Sequence, residues 1–416
     1  MKHLILFAVL SLSAALYAQQ LIVHEWGTFT SVQGSDGVLL EWRPLLKSDL
    51  PPFVYDRTKR GVELQQAGYR EKFGLAARQR METPVIYFYT DEEMTVDVTV
   101  KFPQGLITEW YPQVRDFAPM LSNPGKPQIK NGMLRWGKVK LFPAAKNPDM
   151  AKLLPKNDAP SHYYPARETD AAYVRSCRTG VNNVTTYEHE KFLFYRGLGD
   201  FNAPLKVSSA AGDPLYHTIE NTGSEDIVGA FLLIVRDGKA YFRPLEQLKA
   251  GSSRKEMTTG SFDYMELPAV VERIKAAMTV DLVKQGLYQA EAAAMVKTWQ
   301  DSWFEEEGTR VLYLLPTAWT DRVLPLSVTP KPDSTVRVMV GRAEIITPEL
   351  EAAVNKHVAA LADSEFEVRE RASREIKKLG RFAEPVLKRV QATAVDPEVR
   401  VRAGDLIKAL TQVPAR

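Results

Sequence analysis

His24, Glu25, His162, Glu168, Asp170, Glu188, His189 and Glu190 are the residue types that bind zinc or a related divalent metal, through imidazole nitrogen and carboxylate oxygen. From these, His24, His189 and Glu190 are the candidate metal ligands. Their spacing matches no diagnostic pattern. The run His24-Glu25-Trp26-Gly27-Thr28-Phe29 lacks the second histidine of a metalloprotease helix. On a regular strand His24 and Glu25 point to opposite faces, so they do not enter one site together. Hydrogen-bonded structural histidines are the weightier alternative.

The segment Ser161 to Asp170 crowds polar, aromatic and charged side chains into what reads as an exposed loop. His162, Tyr163, Arg167, Glu168 and Asp170, with Arg175 and His189 as neighbours, form a candidate ligand-binding edge, because loops on a rigid sheet are where recognition usually sits. The same residues could instead form an internally salt-bridged cover. Glu25-Trp26, Glu41-Trp42 and Glu109-Trp110 set an acid beside a tryptophan three times, the equipment of a sugar-binding cleft or a glycosidase. Strand alternation gives a plainer reading, a core Trp with a solvated Glu. There is no Gly-x-Ser-x-Gly elbow and no Gly-rich phosphate loop. The single cysteine, Cys177, reads as a buried or partly buried small hydrophobe.

The elements that must position these residues are mainly strands. Leu21-Ile22-Val23 and Thr28 to Val32 precede the turn Gly34-Ser35-Asp36-Gly37 and the run Val38-Leu39-Leu40, the pattern of a hairpin. A polar stretch from 47 to 80 is richer in helix formers. Val85 to Tyr89, an acidic turn and Met94 to Phe102 predict a second hairpin, whose second strand alternates apolar and polar residues. Ala144 to Gly180 reads as a long loop. Asp237-Gly238 predicts a type I′ turn. Leu267 to Phe304 predicts two helices parted by Gly286, and strands resume from Arg310 to Ile346. The expected fold class is α+β: a mainly antiparallel, β-sandwich-like body with a helical insertion, over 19–346, divided into two sub-domains near 205 if it is divided at all.

The first eighteen residues combine a positive start, the apolar run Leu4 to Ala15 and a small residue at Ala18, the parts of a secretory signal peptide. The expectation is an exported chain, periplasmic or extracellular, with no membrane span after cleavage. The 54 basic and 51 acidic residues of the 416 leave a net charge of +3, which does not point to nucleic acid.

At the C-terminus, 347–416, Thr347-Pro348 is a cap and a first helical residue, followed by helices expected over Pro348–Leu361, Phe366–Leu379, Ala383–Val390 and Pro397–Leu410. Val368-Arg369, Ala372, Ile376 and Leu379 recur as Val399-Arg400, Ala403, Ile407 and Leu410, 31 residues on (399 − 368). With Leu379-Gly380, Pro385-Val386-Leu387 and Asp396-Pro397, the stretch 363–410 resembles the HEAT repeat family. The resemblance implies protein packing or protein binding. One and a half repeats are fewer than a free solenoid needs, so the module should lean on the Pro348 helix, on the body or on a partner. Four stretches of the body, His24 to Phe29, Glu82-Thr83-Pro84, Glu109-Trp110-Tyr111-Pro112 and Phe194-Tyr195-Arg196-Gly197, are similar to stretches of exported bacterial proteins of uncharacterised function. The sequence thus points to an exported binding or scaffold protein with a protein partner on its helical tail. The alternative is a secreted hydrolase, metal-dependent or not, acting on glycan or peptide.

Overall fold

The computed structural model describes residues 20–42, 50–57, 76–119, 128–156, 159–179, 185–212, 215–258 and 264–412. The signal peptide expected over 1–18 and much of the polar stretch 47–80 lie outside the described residues. The first strands are β1 Leu21–Gln33, β2 Tyr55–Asp56, β3 Gln79–Thr90, β4 Met94–Phe102, β5 Gly105–Tyr111, β6 Asp116–Ala118 and β7 Gly132–Phe142. They continue as β8 Tyr173–Thr179, β9 Thr185–Glu190, β10 Leu193–Gly199, β11 Leu205–Ala210, β12 Leu215–Asn221, β13 Val228–Arg236 and β14 Lys239–Leu245. The last are β15 Ser253–Thr258, β16 Met265–Glu266, β17 Gly308–Leu315, β18 Leu326–Thr329 and β19 Ser334–Ile345. The helices are α1 Leu267–Lys284, α2 Gln289–Gln300, α3 Thr317–Val323, α4 Pro348–Ala359, α5 Phe366–Leu379, α6 Glu384–Thr393 and α7 Pro397–Gln412.

The fold is α+β, with a sheet-rich body. One sheet has ten strands in the order β16-β14-β13-β17-β19-β1-β3-β10-β5-β2. A second holds β18-β4-β7-β8-β9 with β6 on β7, and a third holds β11-β12-β15. The five strands on the β1 side of the large sheet all precede residue 200, and the five on the β19 side all follow 227. The boundary expected near 205 therefore falls between two halves of one continuous sheet, joined by the parallel β1–β19 pair. Every other strand pairing among the described residues is antiparallel.

β1 carries an almost unbroken buried pattern because both its edges are paired and both its faces are covered. On one face Phe29 meets Phe102 with ring centroids 6.2 Å apart, and Trp136 meets Tyr195 at the same distance, so the large sheet packs on the six-stranded one. On the other, Trp26 lies 6.1 Å from Tyr87, whose hydroxyl donates to the Ala166 carbonyl at 2.7 Å. Such an aromatic pair contributes about 0.5–1.5 kcal/mol beyond its burial.

Several local expectations need correcting. The run Val85 to Phe102 is not a hairpin: β3 has β1 and β10 on its two edges, while β4 pairs with β7 and β18 in the other sheet. The acidic turn at 91–93 is a corner between sheets. Alternation in β4 does hold, with Val96, Val98, Val100 and Phe102 buried. Ala144 to Gly180 is not one loop, since it contains 3-10 turns at Ala144–Lys146, Pro148–Leu153 and Tyr164–Arg167 and the strand β8. Cys177 is exposed, because β8 turns Ser176 inward and its neighbour outward. The Asp237-Gly238 turn has both residues at positive φ, 52° and 72°, as a type I′ hairpin requires.

In the tail, the Thr347 hydroxyl accepts from the Leu350 amide and Pro348 opens α4. The recurring positions Ala372 and Ala403, Ile376 and Ile407 enter one core with Val354 and Leu387, separate from the core of the body. A small apolar cluster joins the two: Val32, Trp42 and Ile346 from the body side, with Leu350 and Phe382 from the helices. Ser35 donates to Glu351 at 3.0 Å, and Lys388 to the Glu41 carbonyl at 3.2 Å.

Candidate functional site

The structure joins residues from both candidate lists. Arg167 grips Glu190 with two nitrogens, at 2.9 and 2.6 Å, and Tyr163 donates to the same carboxylate at 3.0 Å. Tyr163 and Glu190 are fully buried. Burial and then the Glu190 charge push the Tyr163 phenol well above its ordinary value, so it stays a donor. The guanidinium also lies over the rings of Phe53 and Tyr164 and donates to the Pro155 carbonyl. With every oxygen of Glu190 engaged, including one by the Lys191 amide, this is a clasp between the 160s segment and β9.

The other candidates in that segment face α2. Glu168 pairs with Lys297 at 2.7 Å, and His162 binds Asp301 at 2.8 Å while stacking on Trp299. Asp170 is exposed, and its charge with that of Glu190 only partly offsets the burial that brings Lys191 down to about 8. Arg175 sits opposite His189 in the β8–β9 register, between the rings of Phe142 and Tyr187. Burial, then Arg175, lowers the His189 pKa. Within 161–170 the side chains of His162, Arg167 and Glu168 are thus each engaged by another element, while Glu168 and Asp170 stay exposed.

The metal candidates do not meet. His24 is buried and its Nδ1 stands 2.7 Å from Glu291 at the start of α2, under the rings of Tyr89 and Tyr288. His162 is held at the other end of that helix; Glu291 and Asp301 are ten residues apart, about 15 Å of helix. Among the described residues no group of three His, Cys, Asp or Glu side chains could hold a metal ion. The physical reason is that His24, His162 and Glu190 already have partners on separate elements, Glu291, Asp301 and Arg167, while His189 faces the cation of Arg175.

The acid–tryptophan pairs also need correcting. Trp26, Trp42 and Trp110 are core residues, but Glu25 and Glu109 are buried too. Glu25 takes Arg337 of β19 at 2.7 Å and the hydroxyl of Tyr195. Burial alone would lower the Arg337 pKa, and Glu25 with Tyr195 and Asp321 more than reverses this. A buried pair of this kind is costly to break, because removing one partner leaves the other charge buried and uncompensated.

What sequence reasoning missed is that its four similar stretches are neighbours. They lie on β1, β3, β10 and β5, adjacent in the large sheet, and each ladder slips register where the stretches meet. At the β1–β3 slip Gly27 faces Pro84, where a Cβ would stand 2.9 Å from the proline Cα, and Thr83 has φ 45°. A β-branched residue in that region is strained. Among the described residues the hydroxyls of Thr28, Thr30 and Thr83 are buried without a partner. The charges nearby are matched: Arg80 with Glu82 at 3.0 Å, Arg310 and Arg342 with Glu344 at 2.9 and 2.5 Å.

The open chemistry lies on the tail. On α5, Arg371, Arg374, Lys377 and Lys378 are exposed on the side opposite Ala372 and Ile376. Lys378 pairs with Glu375, while Arg371, Arg374 and Lys377 make no salt bridge among the described residues. Phe366, which starts the helix, is 63% exposed, and Val401 on α7 is 62% exposed. Arg402 ties α7 to Glu370 of α5 at 3.3 Å.

No protein family and no curated protein matches the chain. Among solved structures it is similar to the yeast delta-COP-I mu-homology domain complexed with a Dsl1 WxWxV peptide, at 7% identity over 79% of this chain and 99% of that one. It is also similar to the yeast delta-COP-I mu-homology domain at 6% identity, over 79% and 98%. The TM-score is 0.28 in both, a likeness that carries no argument about function.

Proposed function

We propose that this is an exported scaffold protein whose HEAT-like tail holds a protein partner of acidic surface on the outward face of α5 and α7. The observation that carries the reading is the exposed row Arg371, Arg374 and Lys377, which makes no salt bridge among the described residues, on the helix that starts with the exposed ring of Phe366. Cations in a row attract and orient an acidic partner, and an aromatic side chain supplies the apolar anchor such interfaces use. The body contributes a stiff platform. Its buried ion pairs bridge β1 to β19 and β9 to the 160s segment, which favours a structural role for these carboxylates over that of a poised acid or base. A metal-assisted hydrolase draws no support from residues committed to separate partners.

The test is titration of the full chain with an amphipathic Glu-rich helical peptide, and with the same peptide carrying Lys for Glu. The acidic peptide should bind, weaken with added salt, and lose about tenfold or more in affinity with Arg371→Glu/Arg374→Glu/Lys377→Glu at unchanged helicity. Equal binding of both peptides, an unaffected triple variant, or binding to anionic vesicles without binding to the peptide would each defeat the proposal.

A further inference from the structure

A cleft of about 450 Å³ lies where the turn after β1 meets β11 and the segment before it. Its size is that of a small-molecule site. The walls differ in character. Val38, 54% exposed, and Leu39 form an apolar side, while Leu205 is buried in the core beneath. Arg78 and Lys206 put two cations on the rim. Arg78 is largely committed, with Asp200 at 2.6 Å and Asn202 at 3.2 Å. Lys206 makes no salt bridge among the described residues.

Lys206 is also held in place. Its stem crosses the turn at Gly37, which has φ +77°, and a Cβ there would stand 2.7 Å from Lys206 Cε and 2.9 Å from Cγ. The bare glycine lets the aliphatic stem lie flat and keeps the ammonium at the rim. Beneath, the buried Gln33 amide donates to the Leu205 carbonyl at 3.0 Å and accepts from the Val207 amide at 2.7 Å, as a neighbouring strand would. The Gln33 amide beneath the cleft is therefore satisfied on both its donor and acceptor sides.

A preformed cleft with an apolar wall and one positioned cation, which Glu220 faces across the β11–β12 ladder without a salt bridge among the described residues, selects a ligand with an anionic head and a short apolar body. We propose that this cleft binds a carboxylate carried on an apolar chain, the carboxylate facing Lys206 and the chain lying on Val38 and Leu39. The site is independent of the α5 face. The carboxylate could belong to a free aliphatic acid or to a peptide C-terminus, which share this chemistry.

Octanoate, octanol and octylammonium, titrated into the full chain by calorimetry or NMR, test it. Octanoate should bind at a single site, with the other two at least about tenfold weaker, a difference set by the charge-assisted contact. Lys206→Glu and, separately, Val38→Asp should each lose about tenfold or more with thermal stability unchanged, both positions being exposed. Octanol binding as well as octanoate, or Lys206→Glu binding octanoate unchanged, would overturn the assignment. A leucine-terminated peptide binding more tightly than both its C-terminal amide and octanoate identifies the source as a chain terminus; octanoate binding more tightly than the peptide identifies a free acid.

Discussion

His217 shows how much one buried ring can hang on its protonation. It sits in the middle of β12, fully buried, with Ser209 Oγ 2.8 Å from Nδ1 and Glu256 opposite in the β15 register. Burial brings its pKa down to about 4, against the weaker upward pull of Glu349 and Glu256. An unfolded histidine titrates near 6.5, so between about 6.5 and 4 the unfolded chain binds the extra proton and the folded chain does not. Stability is therefore full above about pH 6.5, falls as the pH drops towards 4, and levels off below for this group. The total loss is on the order of 3 kcal/mol. Urea melts at pH 7 and pH 4.5 should show this difference, and His217→Gln should shrink it; an equal difference in the variant would assign the acid sensitivity elsewhere. The same scale explains Glu25 and Glu109, whose burial no neighbouring residue announces. The guanidinium that donates to Glu25 is 312 residues away.

At the scale of elements, the 160s segment is fastened by Arg167 across to Glu190 of β9, and by Glu168 and His162 to α2. Arg167→Met leaves the Glu190 carboxylate buried without its counter-ion, which costs about 3–5 kcal/mol, whereas Arg167→Met with Glu190→Met should recover much of the loss. Chemical denaturation of the two single variants and the double variant measures it, and additive losses would mean the pair is not coupled. Local patterns were legible here wherever the deciding forces are local. Alternation marked β4, the Asp237-Gly238 pair marked the β13–β14 turn, and Thr347-Pro348 and Gly380 bounded the helices. The β3–β4 corner was not legible, because an acidic turn between two strands has the same composition whether the strands pair or part into different sheets. Nor were the pairings of Arg167, Glu168 and His162, since their partners at 190, 297 and 301 lie on elements that only tertiary packing brings near. The cleft beside β11 gave no signal, because Gly37, Arg78 and Lys206 come from three separate segments.

For the whole molecule, the tail has a core of its own and touches the body through a few residues, chiefly Val32, Trp42 and Ile346 against Leu350 and Phe382. Ending the chain after Thr347 should leave a folded β body by circular dichroism, with a lower Tm because that apolar cluster loses its cover. A fragment that is insoluble or unfolded would make the tail part of the main core. The parallel β1–β19 pair has a further consequence for a chain made from its N-terminus. β1 can assemble early with β3, β10 and β5, yet its other edge stays without a neighbour until β19, more than 300 residues behind, has been delivered. A strand carrying Val23, Trp26, Phe29 and Val32 with one open edge is a template for pairing with another copy. Until its last strand arrives this chain is a half-sheet in need of guarding, and a product stopped short of residue 334 is left with that sticky edge for good.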